Sequence, residues 1–365
     1  MSTLISPIFE KPGTQVVCIY PSSRNRWDGI ADYSRRLTNE LRNQGAEISI
    51  ERPHGAYDAI LSLLRRRKGD RVVLLLQYNP FAWGHWGFSP WLIVSVALLR
   101  VLRSNIEVAV VIHEPYIART NLRAQLMGSW QRLQLRCLLR FAHLRVASTE
   151  SFAHELNVHW PRRTVLPLPV GSNLSDERSA RARERVQRGI DDHLVIASIS
   201  AGHDSYLRNF VSDAVTAIVA GASRPVALLL LGANNPSPTG LDGLAYIDSP
   251  GYLTDRSLAR ALAAADIFLA PYRDGASTRR TSLMAALQHA LAIVTTIEPH
   301  SDSVLRDTDA MIVVNGSDPA AFASAAAQLA LDDSEMIRLG SAARRLYDQS
   351  FSWQVIADKL VTLLG

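Results

Sequence analysis

The chain has 365 residues, of which 47% are hydrophobic and 20% charged. This length exceeds a usual single hydrophobic core, so two domains are expected. Two distant cysteines, Cys18 and Cys137, are typical of unpaired thiols in a reducing compartment and exclude a cysteine-based metal site. No basic-then-apolar leader opens the chain, so a cytoplasmic location is predicted.

The net charge of +5 is unevenly distributed along the chain. Residues 1–170 contain 22 Lys and Arg against 12 Asp and Glu, whereas residues 171–365 carry a net charge of −5. The basic half is suited to peripheral contact with an anionic inner membrane face or to an acidic substrate, although arginines spread over solvated helices would give the same count. No motif with interleaved aromatic residues indicates nucleic-acid binding.

The first half alternates predicted strands and helices. The strands are Gln15–Ile19, Ala46–Ile50, Arg71–Leu76, Glu107–Ile112, Leu144–Ala147 and Thr164–Leu168, and helices are predicted from Gly29, over Pro90–Leu102, over Arg119–Leu139 and from Glu150. The basic run Arg65 to Lys68 is interpreted as a solvated connection. Pro90–Leu102 is far shorter than the roughly 20 apolar residues that span a bilayer. It is therefore interpreted as a core helix or a membrane-contacting helix, with the core position favoured.

The second half repeats this alternation after a segment rich in proline, glycine and charge. Its predicted strands are Leu194–Ile199, Val226–Leu231, Tyr246–Asp248, Asp266–Ala270, Ala292–Thr296 and Ala310–Val314, and its helices are Arg208–Val219, Asp255–Ala264, one from about Thr278, Pro319–Leu331, Ser334–Ser350 and Ser352–Leu364. The breaking residues between Pro167 and Arg188 place a domain boundary there. Strand–helix alternation predicts doubly wound parallel sheets.

Two strand ends in the first half carry candidate site residues. His113 and Glu114 follow the strand Glu107–Ile112, where ligands of open α/β sheets bind, and Tyr116 lies just beyond them. A histidine bonded to the backbone is the structural alternative. Gly29 opens the helix after the first strand and would let a ligand approach the backbone closely, although no G-x-G-x-x-G motif is present.

The loop after the strand Asp266–Ala270 is the strongest candidate for a phosphate site. The pattern Leu283, Leu287 and Leu291 predicts a helix after this loop. Hydroxyl and guanidinium groups gather where that helix is expected to begin, on Ser277, Thr278, Arg279, Arg280, Thr281 and Ser282. Free backbone N–H groups, the helix dipole and two arginines suit a phosphate, whereas capping residues and solvated arginines are the structural alternative.

The order of elements resembles the two-domain GT-B glycosyltransferases, in particular the retaining, metal-independent enzymes of glycosyltransferase family 4. The similarity rests on Gly29 with the following IADY, His113 after VVI, Ser148 with the following Glu155-Leu156, VLPLPVGSN from Val165 to Asn173, GYLTDRSLARALAAADIFLAP from Gly251 to Pro271, and FSWQVIA from Phe351 to Ala357. It covers nearly the whole chain. It implies two Rossmann-like, doubly wound domains that face an interdomain cleft.

The resemblance also implies domain roles. Residues 1–172 would bind the acceptor, with the helix 351–365 crossing back onto them, and residues 190–350 would bind the nucleotide-sugar donor. The donor would be a UDP- or GDP-sugar with no permanent cofactor and no metal. The acceptor would be a glycan, a lipid-linked molecule or a small molecule.

The resemblance implies roles for individual residues as well. His113, Asp274 and Arg279 are expected at the reaction centre; Gly29, Gly202, His203, Arg208, Ser277, Thr278, Arg280 and Ser282 at the donor; and Glu114 and Tyr116 at the acceptor. His113 would position a substrate, Asp274 would bind sugar hydroxyls, and Arg279 with Arg280 would neutralise the leaving diphosphate.

The chain departs from the family at the donor loop. The family usually carries two glutamates eight residues apart, but no Glu occurs between Asp274 and Thr296. Counting from Asp274 places the second position at Ser282, whereas counting back from Ala292 to Val294 places the pair at Ser277 and Ala285. A catalytically silent, glycosyltransferase-like binding or scaffold subunit is therefore the alternative function. A phosphorylase would need a pyridoxal lysine, and the only lysines are Lys11, Lys68 and Lys359.

Overall fold

The computed structural model describes residues 14–20, 29–52, 58, 62–64, 71–117, 120–233, 235 and 241–365. The basic run Arg65 to Lys68 and the loop 21–28 lie outside the described residues. The chain divides into two compact units. Unit 1 comprises Met1–Pro169 and Trp353–Gly365, and unit 2 comprises Val170–Ser352.

Unit 1 is built on a six-stranded parallel sheet with the strand order β2-β1-β3-β4-β5-β6. The strands are β1 Gln15–Ile19, β2 Glu47–Glu51, β3 Val72–Tyr78, β4 Ile106–Ile112, β5 Leu144–Ala147 and β6 Leu166–Pro167. All seven residues of β3 are buried. Strands of a parallel sheet that is covered on both faces consist of continuous apolar runs, and for this reason the strands could be predicted from the sequence.

The helices of unit 1 whose bounds lie within the described residues follow or precede its strands. They are α1 Gly29–Asn43, α2 Pro80–Trp83, α3 Pro90–Leu102, α4 Leu122–Phe141, α5 Glu150–His159 and, at the end of the chain, α13 Trp353–Leu364. The last helix lies against α1, where Gln44 donates a hydrogen bond to Asp358 over 2.8 Å and the rings of Tyr33 and Trp353 meet at 5.3 Å. The final helix therefore completes the first unit.

Unit 2 contains a second six-stranded parallel sheet, with the strand order β12-β11-β10-β7-β8-β9. The strands are β7 Leu194–Ile199, β8 Val226–Leu231, β9 Tyr246–Gly251, β10 Ile267–Ala270, β11 Ala292–Ile297 and β12 Ile312–Asn315. The direction of strand succession reverses between β7 and its neighbour β10. Ligands of open α/β sheets bind beyond the carboxyl ends of the strands at such a switch point.

The helices of unit 2 follow its strands. They are α6 Arg181–Arg188, α7 Arg208–Gly221, α8 Asp255–Ala263, α9 Thr281–Gln288, α10 Ser303–Arg306, α11 Pro319–Ala330 and α12 Asp333–Ser350. The charged segment that the sequence interprets as a boundary folds onto this unit as α6. Arg181 and Arg185 form ion pairs with Asp266, and the same carboxylate accepts the backbone N–H of Val195 over 2.8 Å. One carboxylate thus ties α6 to β7 and β10.

The two parallel sheets confirm the expected fold class. The observed strands and helices begin or end within a few residues of the predicted bounds, and Gln15–Ile19, Pro90–Leu102, Leu194–Ile199 and Val226–Leu231 coincide with them. One shift of three residues concerns α9, which begins at Thr281 and not at about Thr278. Its cause lies in the turn that precedes the helix, described below.

Candidate functional site

Two loops of unit 2 meet at the carboxyl edge of its sheet. The loop after β7 and the loop after β10 join through a short antiparallel bridge between Tyr206 and Tyr272. The backbone N–H of Leu207 donates to Pro271 over 3.1 Å, and that of Arg273 donates to Ser205 over 2.7 Å. The structure therefore brings two predicted parts of the donor site, residues 202–208 and 274–282, to one place.

Beside this junction lies an open cavity of about 460 Å³. It is lined by Gly202, His203, Asp204, Tyr206, Leu207, Arg208, Asn209 and Arg273. Gly202 has a φ of +81°, a conformation that favours glycine. Three of the predicted donor residues, Gly202, His203 and Arg208, thus line the same cavity. It also contains Arg273, which the sequence did not single out and whose side chain is exposed.

Asp274 forms ion pairs with both arginines of the donor loop. Its carboxylate accepts hydrogen bonds from Arg279 over 3.0 Å and from Arg280. The Arg280 guanidinium also lies over the ring of Tyr272, with its carbon 4.6 Å from the ring centre. The structure thus places the three predicted residues together, but their charges neutralise one another in part. The expectation of two solvated or phosphate-bound arginines omitted this pairing.

The turn before α9 corrects the expected helix start. Asp302 accepts hydrogen bonds from the backbone N–H of Thr278 over 2.6 Å and from its hydroxyl over 3.0 Å. These bonds hold Thr278 outside the helix, whose N-cap residue, Arg280, has no side-chain capping bond. Thr278 is therefore a buried support of the loop, contrary to the expectation that it offers free groups at a helix N-terminus.

The two predicted serines of this loop differ in their surroundings. The hydroxyl of Ser277 is buried and has no hydrogen-bond partner among the described residues. Ser282, on the first turn of α9, shares a hydrogen bond of 2.8 Å with the hydroxyl of Tyr272. Ser282 consequently fixes a tyrosine ring on which Arg280 stacks, and Ser277 keeps an unsatisfied polar group at the loop.

A glutamate missed by the sequence analysis has its backbone next to the donor loop. Glu298 follows β11, the strand adjacent to β10, and an added Cβ at Gly275 would lie 2.7 Å from the backbone nitrogen of Glu298. Gly275 has a φ of +75°, so both conformation and space demand glycine there. Glu298 lies two residues beyond the glutamate-free stretch from Asp274 to Thr296, and it is a neighbour of the loop only because β10 and β11 are adjacent.

In unit 1, hydrogen bonds connect the side chains of His113, Gln77 and Cys18, which lie on or directly after three neighbouring strands. The Nε2 atom of His113 lies 2.7 Å from Oε1 of Gln77 on β3, and the Gln77 amide donates to the Sγ atom of Cys18 on β1 over 3.6 Å. Burial lowers the pKa of the half-buried His113 to about 4. The ring is therefore neutral at pH 7, and donation from Nε2 to Gln77 leaves the Nδ1 lone pair as an acceptor.

The first turn of α1 packs against this histidine. The Tyr33 ring meets the His113 ring edge-on at 4.8 Å, one helical turn beyond Gly29. An added Cβ at Gly29 would meet nothing within 4 Å, so the packing around it does not require glycine. The structure brings the start of α1 and the end of β4 together.

The two predicted acceptor residues have partners within unit 1. Glu114 is exposed and accepts a hydrogen bond from Asn79 over 3.1 Å. The Tyr116 hydroxyl donates to Glu155, and the Arg132 guanidinium lies 4.1 Å from the centre of its ring. Glu114 is accessible to a ligand, whereas Tyr116 is held in a cluster of side chains. Among the described residues, no group of three or more His, Cys, Asp and Glu side chains is arranged to hold a metal ion.

Comparison with known proteins identifies the family that part of this chain matches. Residues 195–332, most of unit 2, match the family described as glycosyl transferases group 1. No curated protein matches the chain.

The most similar folds include a sucrose-phosphate synthase from Thermosynechococcus elongatus, with 13% identity, a TM-score of 0.65, and 96% of this chain and 98% of that chain covered. HepE from Anabaena, in complex with UDP and glucose, has 11% identity, a TM-score of 0.63 and coverage of 96% and 99%. WaaG, a glycosyltransferase involved in lipopolysaccharide biosynthesis, has 13% identity, a TM-score of 0.55 and coverage of 96% and 99%.

At these identities the likeness of the solved structures establishes the fold. Together, the family match and the shared fold support sugar transfer as the activity. The chain has the GT-B fold of two Rossmann-like units, and residues 195–332 of its second unit match the group 1 glycosyl transferases.

Proposed function

We propose that the chain transfers a sugar from a nucleoside-diphosphate sugar to an acceptor, with retention of configuration and without a metal ion. Unit 2 binds the donor. The observation that carries the proposal is the set of three arginines at the switch point of its sheet, Arg273, Arg279 and Arg280, in the unit that matches the transferase family. Unit 1 presents His113 and Glu114 to the acceptor and the transferred sugar.

The chemistry needs positive charge where the glycosidic bond breaks. The leaving nucleoside diphosphate gains negative charge in the transition state, and preorganised cations stabilise it. Guanidinium groups match phosphate oxygens in a bidentate geometry. Arg279 and Arg280 exchange part of their pairing with Asp274 for the diphosphate, and Asp274 is then available to sugar hydroxyls. The arginines thereby supply the charge that a divalent cation supplies in metal-dependent enzymes.

His113 acts as a positioning group. Its ring is neutral at pH 7 because burial lowers its pKa to about 4. With Nε2 donating to Gln77, Nδ1 accepts a hydrogen bond from a substrate hydroxyl. A neutral acceptor of fixed orientation holds the sugar in a reactive pose, which lowers the entropic part of the barrier.

The donor base and sugar are proposed as uridine and a hexose. HepE is described in complexes with UDP, with UDP and glucose, and with UDP-glucose, and it has the same fold as this chain. GDP-sugars are the alternative donors. Glu298, beside the donor loop, supplies a second carboxylate for donor hydroxyls where the loop itself has no glutamate.

Calorimetric titration with UDP and GDP tests the donor site. We expect the double variant Arg279→Ala/Arg280→Ala to weaken diphosphate binding by about tenfold or more, since two charge-assisted contacts are lost. Arg338→Ala is the matched control, because Arg338 is a paired arginine on α12 of the same unit. Equal affinities in the double variant and the wild type would refute the assignment of these arginines.

A panel of sugar nucleotides then separates catalysis from binding. Donor hydrolysis or transfer by the wild type, reduced in His113→Ala and unchanged in Arg338→Ala, is the expected result. Diphosphate binding without hydrolysis or transfer of any donor on the panel would instead identify a catalytically silent binding subunit. Absence of both binding and turnover would overturn the proposed function.

A further inference from the structure

Helix α3 of unit 1 is apolar on both of its faces. Its inner face buries Leu92, Val96 and Leu99. Its outer face exposes Trp91, Val94, Leu98, Val101 and Leu102, with Trp91 72% and Val101 79% exposed. These five residues follow the helical spacing i, i+3, i+7, i+10 and i+11, so they form one stripe. The prediction of a core helix is therefore correct for the inner face of α3 but not for its exposed outer face.

The neighbouring helix extends this apolar surface. Helix α4 packs beside α3 and exposes Leu122, Leu126 and Leu133. Of the 17 large hydrophobic side chains that are exposed in the described part of the chain, 11 lie between Phe81 and Leu133. Isolated exposed hydrophobic residues are ordinary, but this concentration on adjoining elements indicates an interaction surface. We call it the α3–α4 surface.

One tryptophan of this surface is held outward in a conformation unusual for its type. Trp86, in the 3₁₀ turn His85–Gly87, has φ 55° and ψ 21° and is 45% exposed. Its carbonyl accepts hydrogen bonds from Gln131 over 3.0 Å and from Trp130 over 3.2 Å, and Arg123 stacks on its ring at 4.5 Å. A left-handed conformation in a bulky residue persists only where its surroundings enforce it. The α4 side chains therefore present an aromatic ring to the exterior.

Charge on this surface has a single sign. The segments Pro80–Leu102 and Leu122–Phe141 contain no Asp or Glu, whereas they contain the arginines Arg100, Arg123, Arg132, Arg136 and Arg140. Arg123, Arg136 and Arg140 are exposed. Exposed tryptophan, phenylalanine and leucine beside arginine are typical of elements that lie in the interface of an anionic bilayer.

We propose that the α3–α4 surface docks unit 1 onto an anionic phospholipid bilayer, with the apolar stripe of α3 inserted among the lipid headgroups. A second copy of the chain fits less well, because a two-fold interface would set the basic surface against itself. In the described part of the chain, no helix is both long and apolar enough to cross a membrane. The helices therefore lie on the bilayer. This inference is independent of the proposed sugar transfer and can fail or hold without it.

Vesicle flotation tests the docking with the full chain. We expect the wild type to float with phosphatidylcholine vesicles that contain phosphatidylglycerol, and to bind pure phosphatidylcholine vesicles more weakly. The double variant Trp91→Ser/Leu98→Ser should lower the partition coefficient at least about tenfold, since two large apolar side chains leave the bilayer. Arg136→Gln/Arg140→Gln should remove most of the preference for phosphatidylglycerol.

The matched control is Leu331→Ser/Ile337→Ser, which removes two apolar side chains of unit 2 that are 64% and 71% exposed. It should bind vesicles as the wild type does, and far-UV circular dichroism checks that every variant is folded. Failure of the wild type to bind the anionic vesicles would overturn the proposal, as would wild-type binding by Trp91→Ser/Leu98→Ser. Dimers in sedimentation velocity that this variant dissociates, without vesicle binding, would assign the surface to a second copy.

Discussion

Acidification should destabilise unit 1 through His113. Burial lowers the pKa of this side chain from 6.5 to about 4 in the folded protein. Between these two values the unfolded chain binds a proton that the folded chain does not, so stability rises with pH in this window. The contribution of the neutral ring is complete above pH 6.5 and is lost progressively as the pH falls to 4.

The size of the effect follows from the two pKa values of His113. Their difference, at about 1.4 kcal/mol per pKa unit, corresponds to a loss of about 3 kcal/mol between pH 7 and pH 4. The protonated ring would lie edge-on against Tyr33 and 2.7 Å from the Gln77 carbonyl oxygen, and no carboxylate of the described residues is bonded to its ring nitrogens. Burial also lowers the pKa values of His143 and His289, so a control must isolate His113.

Urea unfolding followed by tryptophan fluorescence measures this effect in the right unit. All seven tryptophans of the chain lie in residues 1–169 or 353–365, so the emission reports unit 1. The variant His113→Gln retains an amide N–H for Gln77 but does not titrate. The free energy of unfolding of the wild type, relative to that of His113→Gln, should fall by about 3 kcal/mol between pH 7 and pH 4. A constant difference over this range would refute the buried, neutral state of His113.

Three further substitutions test the interior and loop of unit 2. Gly340→Ala should destabilise by about 1–3 kcal/mol in thermal unfolding, because the added Cβ would lie 2.3 Å from the Ala290 carbonyl oxygen, whereas Gly221→Ala, with nothing closer than 4.0 Å, should not. Asp302→Ala should cost about 1–3 kcal/mol by leaving the buried N–H of Thr278 unpaired; an unchanged melting temperature would contradict this. Asp274→Asn should tighten UDP binding roughly threefold by releasing two arginines, and a weaker affinity in calorimetry would contradict this.

The sequence predicted the fold well because buried parallel strands require continuous apolar runs. Leu194–Ile199 and Val226–Leu231 contain five and six buried residues, and their predicted bounds coincide with the observed ones. Helix α3 shows the limit of this reasoning. The sequence of α3 shows no polar face. Its pattern therefore cannot distinguish a helix that is buried on both faces from a helix that is buried on one face and exposed on the other.

Residue types at strand ends predicted candidate positions but not their partners. His113 and the donor loop lie at the carboxyl ends of β4 and β10, the edge at which ligands of open α/β sheets bind. The partner of Thr278, Asp302, comes from the connection after the adjacent strand, 24 residues along the chain. Contacts of this kind depend on strand order, which the sequence does not state. The proximity of Glu298 to the donor loop depends on strand order in the same way.

The pairing of Asp274 with Arg279 and Arg280 changes how the missing glutamates are interpreted. A loop with two arginines and no carboxylate would repel itself until an anion arrived, whereas Asp274 holds both guanidinium groups in place beforehand. The Asp274 carboxylate is 43% exposed and the Arg279 side chain 33% exposed, so the ion pair between them contributes little to stability and its exchange for a diphosphate costs little. Under the proposed function, the released Asp274 carboxylate is available to sugar hydroxyls. Under the proposed function, one aspartate thus prepares the phosphate site and serves the sugar, and the absence of loop glutamates is compatible with catalysis.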